Sequence, residues 1–223
     1  TVEGSRILSY LDLGLAESLI LAQELLFSSV YHDSRNLVAE ELLIRALLRA
    51  YPKRPDVLDF WFSTDNDVLE KLHEVAKKDR FVEAVCEMMR AQTPYPVASD
   101  LRLEDKRLDG RAQDNIKFLG TRGRRKILEI EEKICNEMKL GDGAIVCGAW
   151  MWRKPNLAEA AIRVDGRGST LVGESPLLEV LLSERYINSR SKLIVGVHPK
   201  HFEKRKRIEE AIIQTLKSES YAE

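Results

Sequence analysis

The chain has 223 residues, 44% of them hydrophobic and 32% charged, with a formal net charge of −1. That length supports one large domain or two small ones with buried cores, and the near-zero charge excludes a global field for nucleic acid, so any basic site is local. Cys86, Cys135 and Cys147 lack CxxC spacing and a histidine at ligand distance, which argues against zinc and for a reduced, cytoplasmic chain.

Residues 1–92 read as all-helical. Leu15, Leu19, Ala22, Leu26 and Val30 follow helical spacing, and Leu37, Glu41, Ile44 and Leu48 continue it on a second helix that Pro52 and Pro55 end. Glu17, Gln23 and Glu24 interrupt the longest apolar run short of the ~18 residues of a membrane span, so no membrane partner is expected. Thr64 and Asp67 have capping-box spacing and open a helix to about Lys78 with Val68, Leu69, Leu72, Val75 and Ala76 buried. Arg80 to Arg90 forms another around Phe81, Val82, Val85 and Met89.

From Thr93 the pattern changes, and a domain boundary is placed there, dividing the chain into 1–92 and 93–223. Val97 to Leu103 reads as a strand, the charged Asp105–Gly120 segment as a loop, and Thr121 to Met138 as a helix. Strands follow at Ala144–Trp150 and Ala160–Val164, a helix opens at Ser175-Pro176, Leu193–Val197 is the last strand and a helix runs from Pro199. This β-α-β-β-α-β-α order fits a ferredoxin-like lobe, giving an α+β fold class. The last six residues, SESYAE, are expected to fray.

Four constellations carry candidate chemistry. Tyr31, His32 and Arg35 offer a ring for stacking and donors for a polyanion, whereas Asp33 and Ser34 suffice as helix caps. Arg122, Arg124, Arg125 and Lys126 cluster where a helix N-terminus favours an anion, the bland reading being a solvated face paired with Glu129, Glu131 and Glu132. The basic run Lys204–Arg207 alternates with glutamates and reads as an ion-laced exposed helix, so nucleic acid is not an expected partner. Trp150 and Trp152 share a strand face and read as sealing a domain or subunit interface. His73 and His198 have no partner at ligand spacing and read as structural.

The ordered set Gly14-Leu15-Ala16-Glu17, Val30-Tyr31 and Ala39-Glu40, Leu42-Leu43, Arg45-Ala46 resembles the segment that follows the metal centre in HD-domain phosphohydrolases, the superfamily containing the deoxynucleoside triphosphate triphosphohydrolases. Phe62 to Leu72 and Ser169 to Leu181 resemble later segments of the same family in the same order. The resemblance implies that residues 1–92 are part of an HD-type helical lobe and that the chain is the C-terminal portion of a longer hydrolase. It assigns Tyr31 to the substrate deoxyribose, with His32 in the neighbouring pocket position. The family's metal-binding His, His-Asp and Asp would lie upstream, so a divalent metal is implied for the intact parent and none for this chain. A nucleotide or other phosphate ligand and a homo-oligomer follow as expected partners. The chain departs from the family at Gln23, where an arginine contacts phosphate, and at Asp33-Ser34, where the family has His-Lys. Those departures suit a rival reading: a non-catalytic binding or assembly module that uses the Arg122–Lys126 patch.

Overall fold

The structure, a computed structural model, describes residues 7–8, 13–51, 63–75, 79–152, 161–164 and 167–221. A two-residue strand β1 (Ile7–Leu8) precedes helix α1 (Leu13–Leu26), a π-helical turn (Phe27–Tyr31) and α2 (Ser34–Ala50). Helices α3 (Asp65–Val75) and α4 (Arg80–Arg90) follow. The first 92 residues are therefore not purely helical, because β1 pairs in parallel with β4 (Ala161–Val164). The expected capping box forms, Thr64 N–H donating to Asp67 Oδ2 at 2.7 Å and Asp67 N–H to Thr64 Oγ1 at 3.3 Å. Pro52, Pro55, Phe62 and the expected extension of α3 to Lys78 lie outside the described residues.

The principal sheet has three antiparallel strands in the order β2 (Val97–Arg102), β6 (Lys192–Val197), β3 (Ile145–Trp150). β2 and β3 run the same way, joined through α5 (Gly110–Thr121) and α6 (Arg124–Glu137), and β6 is inserted between them. All six residues of β6 are buried, as a central strand covered on both faces requires.

The class is thus mixed α and β with an antiparallel sheet, but the third expected strand does not join that sheet. β4 forms a hairpin with β5 (Arg167–Thr170), with Val164 opposite Arg167. The intervening Asp165-Gly166 dipeptide is a strong short-range hairpin signal in the sequence, and local closure wins over a distant pairing.

The segment expected as a loop is α5. Asp109 caps it, accepting from Ala112 N–H at 2.8 Å, and Ala112, Asn115, Ile116 and Leu119 bury one face. The charge run masked that stripe. Asp109→Ala should lower stability by about 1 kcal/mol in urea unfolding. Helix α6 consequently starts at Arg124, and Thr121 closes α5 instead of opening the next helix.

Short helices α7 (Leu171–Glu174), α8 (Pro176–Leu181, capped by Ser175) and α9 (Glu184–Arg190) lead into β6. Pro199 opens a 3-10 turn to Lys204 before α10 (Arg205–Ser218). The tail does not fray at Tyr221: its side chain is buried, and its N–H donates to Asn115 Oδ1 at 3.1 Å.

Each sheet face has its own core. On one, Leu101, Leu193, Val195 and Cys147 meet Ile116, Ile130, Ile134 and Ile212 of α5, α6 and α10. On the other, Tyr95, Val146 and Ile194 meet Val38 and Leu42 of α2, Leu72 of α3 and Val85 of α4. Residues from both sides of position 93 therefore share a core. Helix α2 rides directly on the sheet: a Cβ on Gly196 would lie 2.5 Å from Val38 Cγ1, and one on Gly148 would lie 2.7 Å from Glu41 Cγ. A third cluster joins Ala16 and Ile20 of α1 to Leu178 and Leu181 of α8.

Candidate functional site

The turn between α1 and α2 is built by competing side-chain bonds. Ser28 and Ser29 hydroxyls donate to Leu25 O at 3.2 and 2.5 Å, and His32 N–H reaches Phe27 O at 2.8 Å, widening the last turn. Asp33 then caps α2 by accepting from Arg35 N–H at 2.9 Å. This local chemistry sends Tyr31 and His32 in different directions. Tyr31 is 55% exposed, its ring 5.2 Å from that of Phe27, and Arg35 is exposed beyond it. His32 turns inward, its ring 3.6 Å from that of Trp150. The three residues expected to form one site therefore divide between an outer face and an inner pocket.

Beneath His32, Lys192 side chain is 9% exposed. Its ammonium donates to His32 O at 3.0 Å, Ser34 Oγ at 2.6 Å and Asp100 Oδ2 at 3.1 Å, which uses all three protons. Ser34 also donates to Asp100 Oδ2 at 2.5 Å, while Asp100 Oδ1 is buried without a hydrogen bond among the described residues. Burial holds the His32 imidazole below its ordinary value; Glu24 opposes that shift, and Lys192 and Arg190 add to it. Ser28, His32, Arg102, Trp150, Arg190 and Lys192, with Ser189, enclose a cavity of about 60 Å³. Among the described residues no carboxylate lines it.

Trp152 is buried, and its Nε1–H donates to Glu24 Oε2 at 3.0 Å; Tyr186 O–H donates to Glu24 Oε1 at 2.6 Å. The two tryptophans thus hold α1 and its turn onto the strand ends within the chain. Glu17 is likewise turned inward, accepting from the Ser175 hydroxyl. The outward face of α1 and the π turn carries Leu15, Leu19, Leu25, Leu26, Val30 and Tyr31, each at least 46% exposed, while the two charged side chains described on these elements, Glu17 and Glu24, are the ones turned inward.

The basic cluster is partly paired, through two carboxylates. Arg124 meets Glu41 at 3.2 Å, Lys126 meets Glu129 at 2.6 Å, and Arg125 lies 3.5 Å from the same Glu129. Arg122 caps the end of α5, so the four cations straddle two helices instead of crowning one N-terminus. Glu131, read as a partner on that exposed face, is buried against Arg45. Arg45 donates to it at 3.2 and 2.8 Å, to Glu41 at 2.9 Å and to Cys147 O at 3.1 Å, while Cys147 N–H donates to Glu131 Oε1 at 2.6 Å. This clamp occupies the free edge of β3. A cavity of about 490 Å³ beside it is lined by Arg45, Arg49, Glu131, Glu132, Asn136 and Asp142 together with apolar groups, with Arg49 paired to Asp142 at 2.7 Å.

All three cysteines are buried and unpaired, and burial pushes each thiol up, so none is poised as a nucleophile. His198 caps the 3-10 turn, its Nδ1 accepting from Lys200 N–H at 3.2 Å. Among the described residues no group of three His, Cys, Asp or Glu could hold a metal, and no helix is long and apolar enough to cross a membrane.

Arg102, Trp150, Arg190 and Lys192 were not among the residues singled out for ligand chemistry. Lys192, opening the apolar run KLIVGV, was the legible signal, since a lysine entering a buried strand requires partners. Glu131 had a similar signature, falling on the stripe of Ile127, Ile130 and Ile134. No protein-family model, curated protein or solved structure matches the chain.

Proposed function

We propose that the chain is the C-terminal part of a metal-dependent HD phosphohydrolase acting on nucleotides, supplying one pocket wall and a lobe for oligomer or effector contacts. The observation that carries this reading is the inverted polarity of α1. Its two carboxylates, Glu17 and Glu24, face inward, while Leu15, Leu19, Leu25 and Val30 face outward and end at the Tyr31 ring. An apolar face depleted of charge is what a covered interface requires. In this proposal it is covered by the metal-bearing half of the helical lobe. Tyr31 then lines the nucleotide cleft, with Arg35 at its rim.

In this proposal the divalent metal is held by that other half and not by the present chain. The inserted central strand between parallel β2 and β3 supports a ferredoxin-related reading of the second half. Three reduced, buried cysteines support a cytoplasmic setting. The rival module using Arg122–Lys126 would work with a split and partly paired patch, since the four cations straddle two helices, Arg124 meets Glu41, and Arg125 and Lys126 share Glu129.

The test is hydrolysis of deoxynucleoside triphosphates by the longer polypeptide with added divalent metal. Tyr31→Ala should reduce kcat/KM by roughly tenfold to a hundredfold, the scale of ring stacking on a nucleotide. Leu19→Glu should change the stability of the present chain by less than about 0.5 kcal/mol yet abolish that activity by disrupting the covered face. Unchanged kinetics in both variants would refute the proposal.

A further inference from the structure

One row of the sheet brings together side chains that no packing requirement groups. Arg102 and Trp150 each stand opposite Lys192, on either side of the central strand. Directly opposed residues of antiparallel strands project to the same face. The row closes the carboxyl ends of β2 and β3, with His32 stacked over Trp150 and Arg190 arriving from the end of α9.

The charge arrangement there is one-sided. Among the described residues, Arg102, Arg190 and Lys192 are three cations and the carboxylates paired with them, Asp100 and Glu24, are two, an excess of one positive charge. Neither carboxylate is among the residues that line the cavity. Asp100 is held by Lys192 and Ser34, and Glu24 by Trp152 and Tyr186. Arg102 reaches Asp100 only at 3.9 Å, and Arg190 directs its Nε toward Tyr186 Oη at 3.2 Å and Glu24 at 3.7 Å, with its guanidinium carbon 5.2 Å from the centre of the Tyr186 ring. The terminal guanidinium nitrogens of both arginines, and both ring nitrogens of His32, have no hydrogen-bond partner among the described residues. The 60 Å³ of space is about two water volumes, which is also the scale of one tetrahedral oxyanion.

We propose that this cavity is a phosphate-binding site, in which Arg102 and Arg190 grip the anion through their free guanidinium edges, His32 donates from its ring and Lys192 supplies fixed positive charge from below. Arginine forks match phosphate oxygens bidentately, and a fixed ammonium strengthens the field without needing to move. The Ser28 and Ser189 hydroxyls donate to the helix carbonyls Leu25 O and Tyr186 O, so the grip comes from the basic groups. Tyr31 lies on the outer face and is not part of this site, which stands whether or not the chain belongs to a phosphohydrolase. The shared ligand chemistry is a phosphate dianion, either free or as the monoester of a nucleotide.

The experiment is NMR titration of the four imidazoles (His32, His73, His198 and His201) in the full chain at low chloride, with inorganic phosphate, a nucleoside 5′-monophosphate and the parent nucleoside. Saturable shifts confined to His32, with its titration midpoint raised by about one unit when phosphate is bound, support the site. Groups facing that ring are Glu24, Lys192 and Arg190, with Trp150 stacked on it. Arg102→Gln should weaken phosphate about tenfold, and Arg190→Gln should do the same, while unchanged His198 and His201 signals report an intact fold. Equal affinity for inorganic phosphate and the monophosphate identifies free phosphate as the ligand; tighter binding of the monophosphate identifies a nucleotide. Phosphate that leaves the His32 midpoint unmoved, or that binds both arginine variants as well as the parent chain, overturns the proposal. So does binding of the nucleoside as tight as that of its monophosphate.

Discussion

Replacing Glu131 with alanine should cost the fold about 3–5 kcal/mol, read as a fall in the urea midpoint with little change in slope. Three losses combine. Arg45, whose side chain is 6% exposed, keeps its charge but loses its bidentate partner. Cys147 N–H, bound to Glu131 Oε1 at 2.6 Å, becomes a buried donor without an acceptor. Glu41 alone remains to neutralise the guanidinium, and it is shared with Arg124. A double-mutant cycle with Arg45→Met separates the pair from its surroundings: Arg45→Met combined with Glu131→Ala should be more stable than the single Glu131→Ala chain, because no unpaired guanidinium remains. If Glu131→Ala alone lies within about 1 kcal/mol of the parent chain, the clamp is not a structural element.

Lys192→Met should lower stability by about 2–3 kcal/mol, the cost of stranding a hydrogen-bonded charge. Methionine fills much of the lysine stem but cannot bond His32 O, Ser34 Oγ or Asp100 Oδ2. Among the described residues Asp100 Oδ1 already has no hydrogen bond.

A second readout distinguishes electrostatics from packing. His32 sits below its ordinary value of 6.5, through burial first, against the pull of Glu24, and with Lys192 and Arg190 contributing. Removing the ammonium should therefore raise the His32 midpoint. In the parent chain the folded state binds this proton less tightly than the unfolded state does. Stability accordingly rises with pH through the window between the lowered folded value and 6.5, and is flat with respect to this group above it. Lys192→Met should narrow that window. A His32 midpoint unchanged by the substitution would mean the ammonium does not act on the ring.

How much of this was legible beforehand depended on whether a residue's partner was near in sequence. The Thr64–Asp67 box, the Ser175 cap with Pro176 and the helical stripe of α4 follow from spacings of three or four residues and are present, whereas on α2 the buried stripe is Leu37, Val38, Leu42 and Ala46, with Leu48 exposed. Helix α5 was hidden because a charged, glycine-containing run outweighed its stripe of Ala112, Ile116 and Leu119. β4 was misassigned because an apolar run does not reveal which strand it pairs with, although Asp165-Gly166 argued for the local hairpin. The site was less legible still. Position 32 was found through its residue type and neighbours, but its pocket is completed from Arg102, Trp150, Arg190 and Lys192, which lie 70 or more positions away. Periodicity carries no trace of such juxtapositions. For Tyr31 and His32, adjacency in the chain suggested a common role, whereas the π turn separates them.

The salt clamp at Cys147 also bears on how copies of this chain behave when crowded. An outermost ribbon with unsatisfied amides is a template onto which another molecule can hydrogen-bond. Here a guanidinium and a carboxylate from helices on opposite sides of the sheet meet around that border and engage the one amide and one carbonyl of Cys147. Neutralising the pair therefore does more than loosen the native state: it opens a docking rail for cross-β growth. Clamp variants should bind thioflavin and form fibrils at concentrations where the parent remains monodisperse.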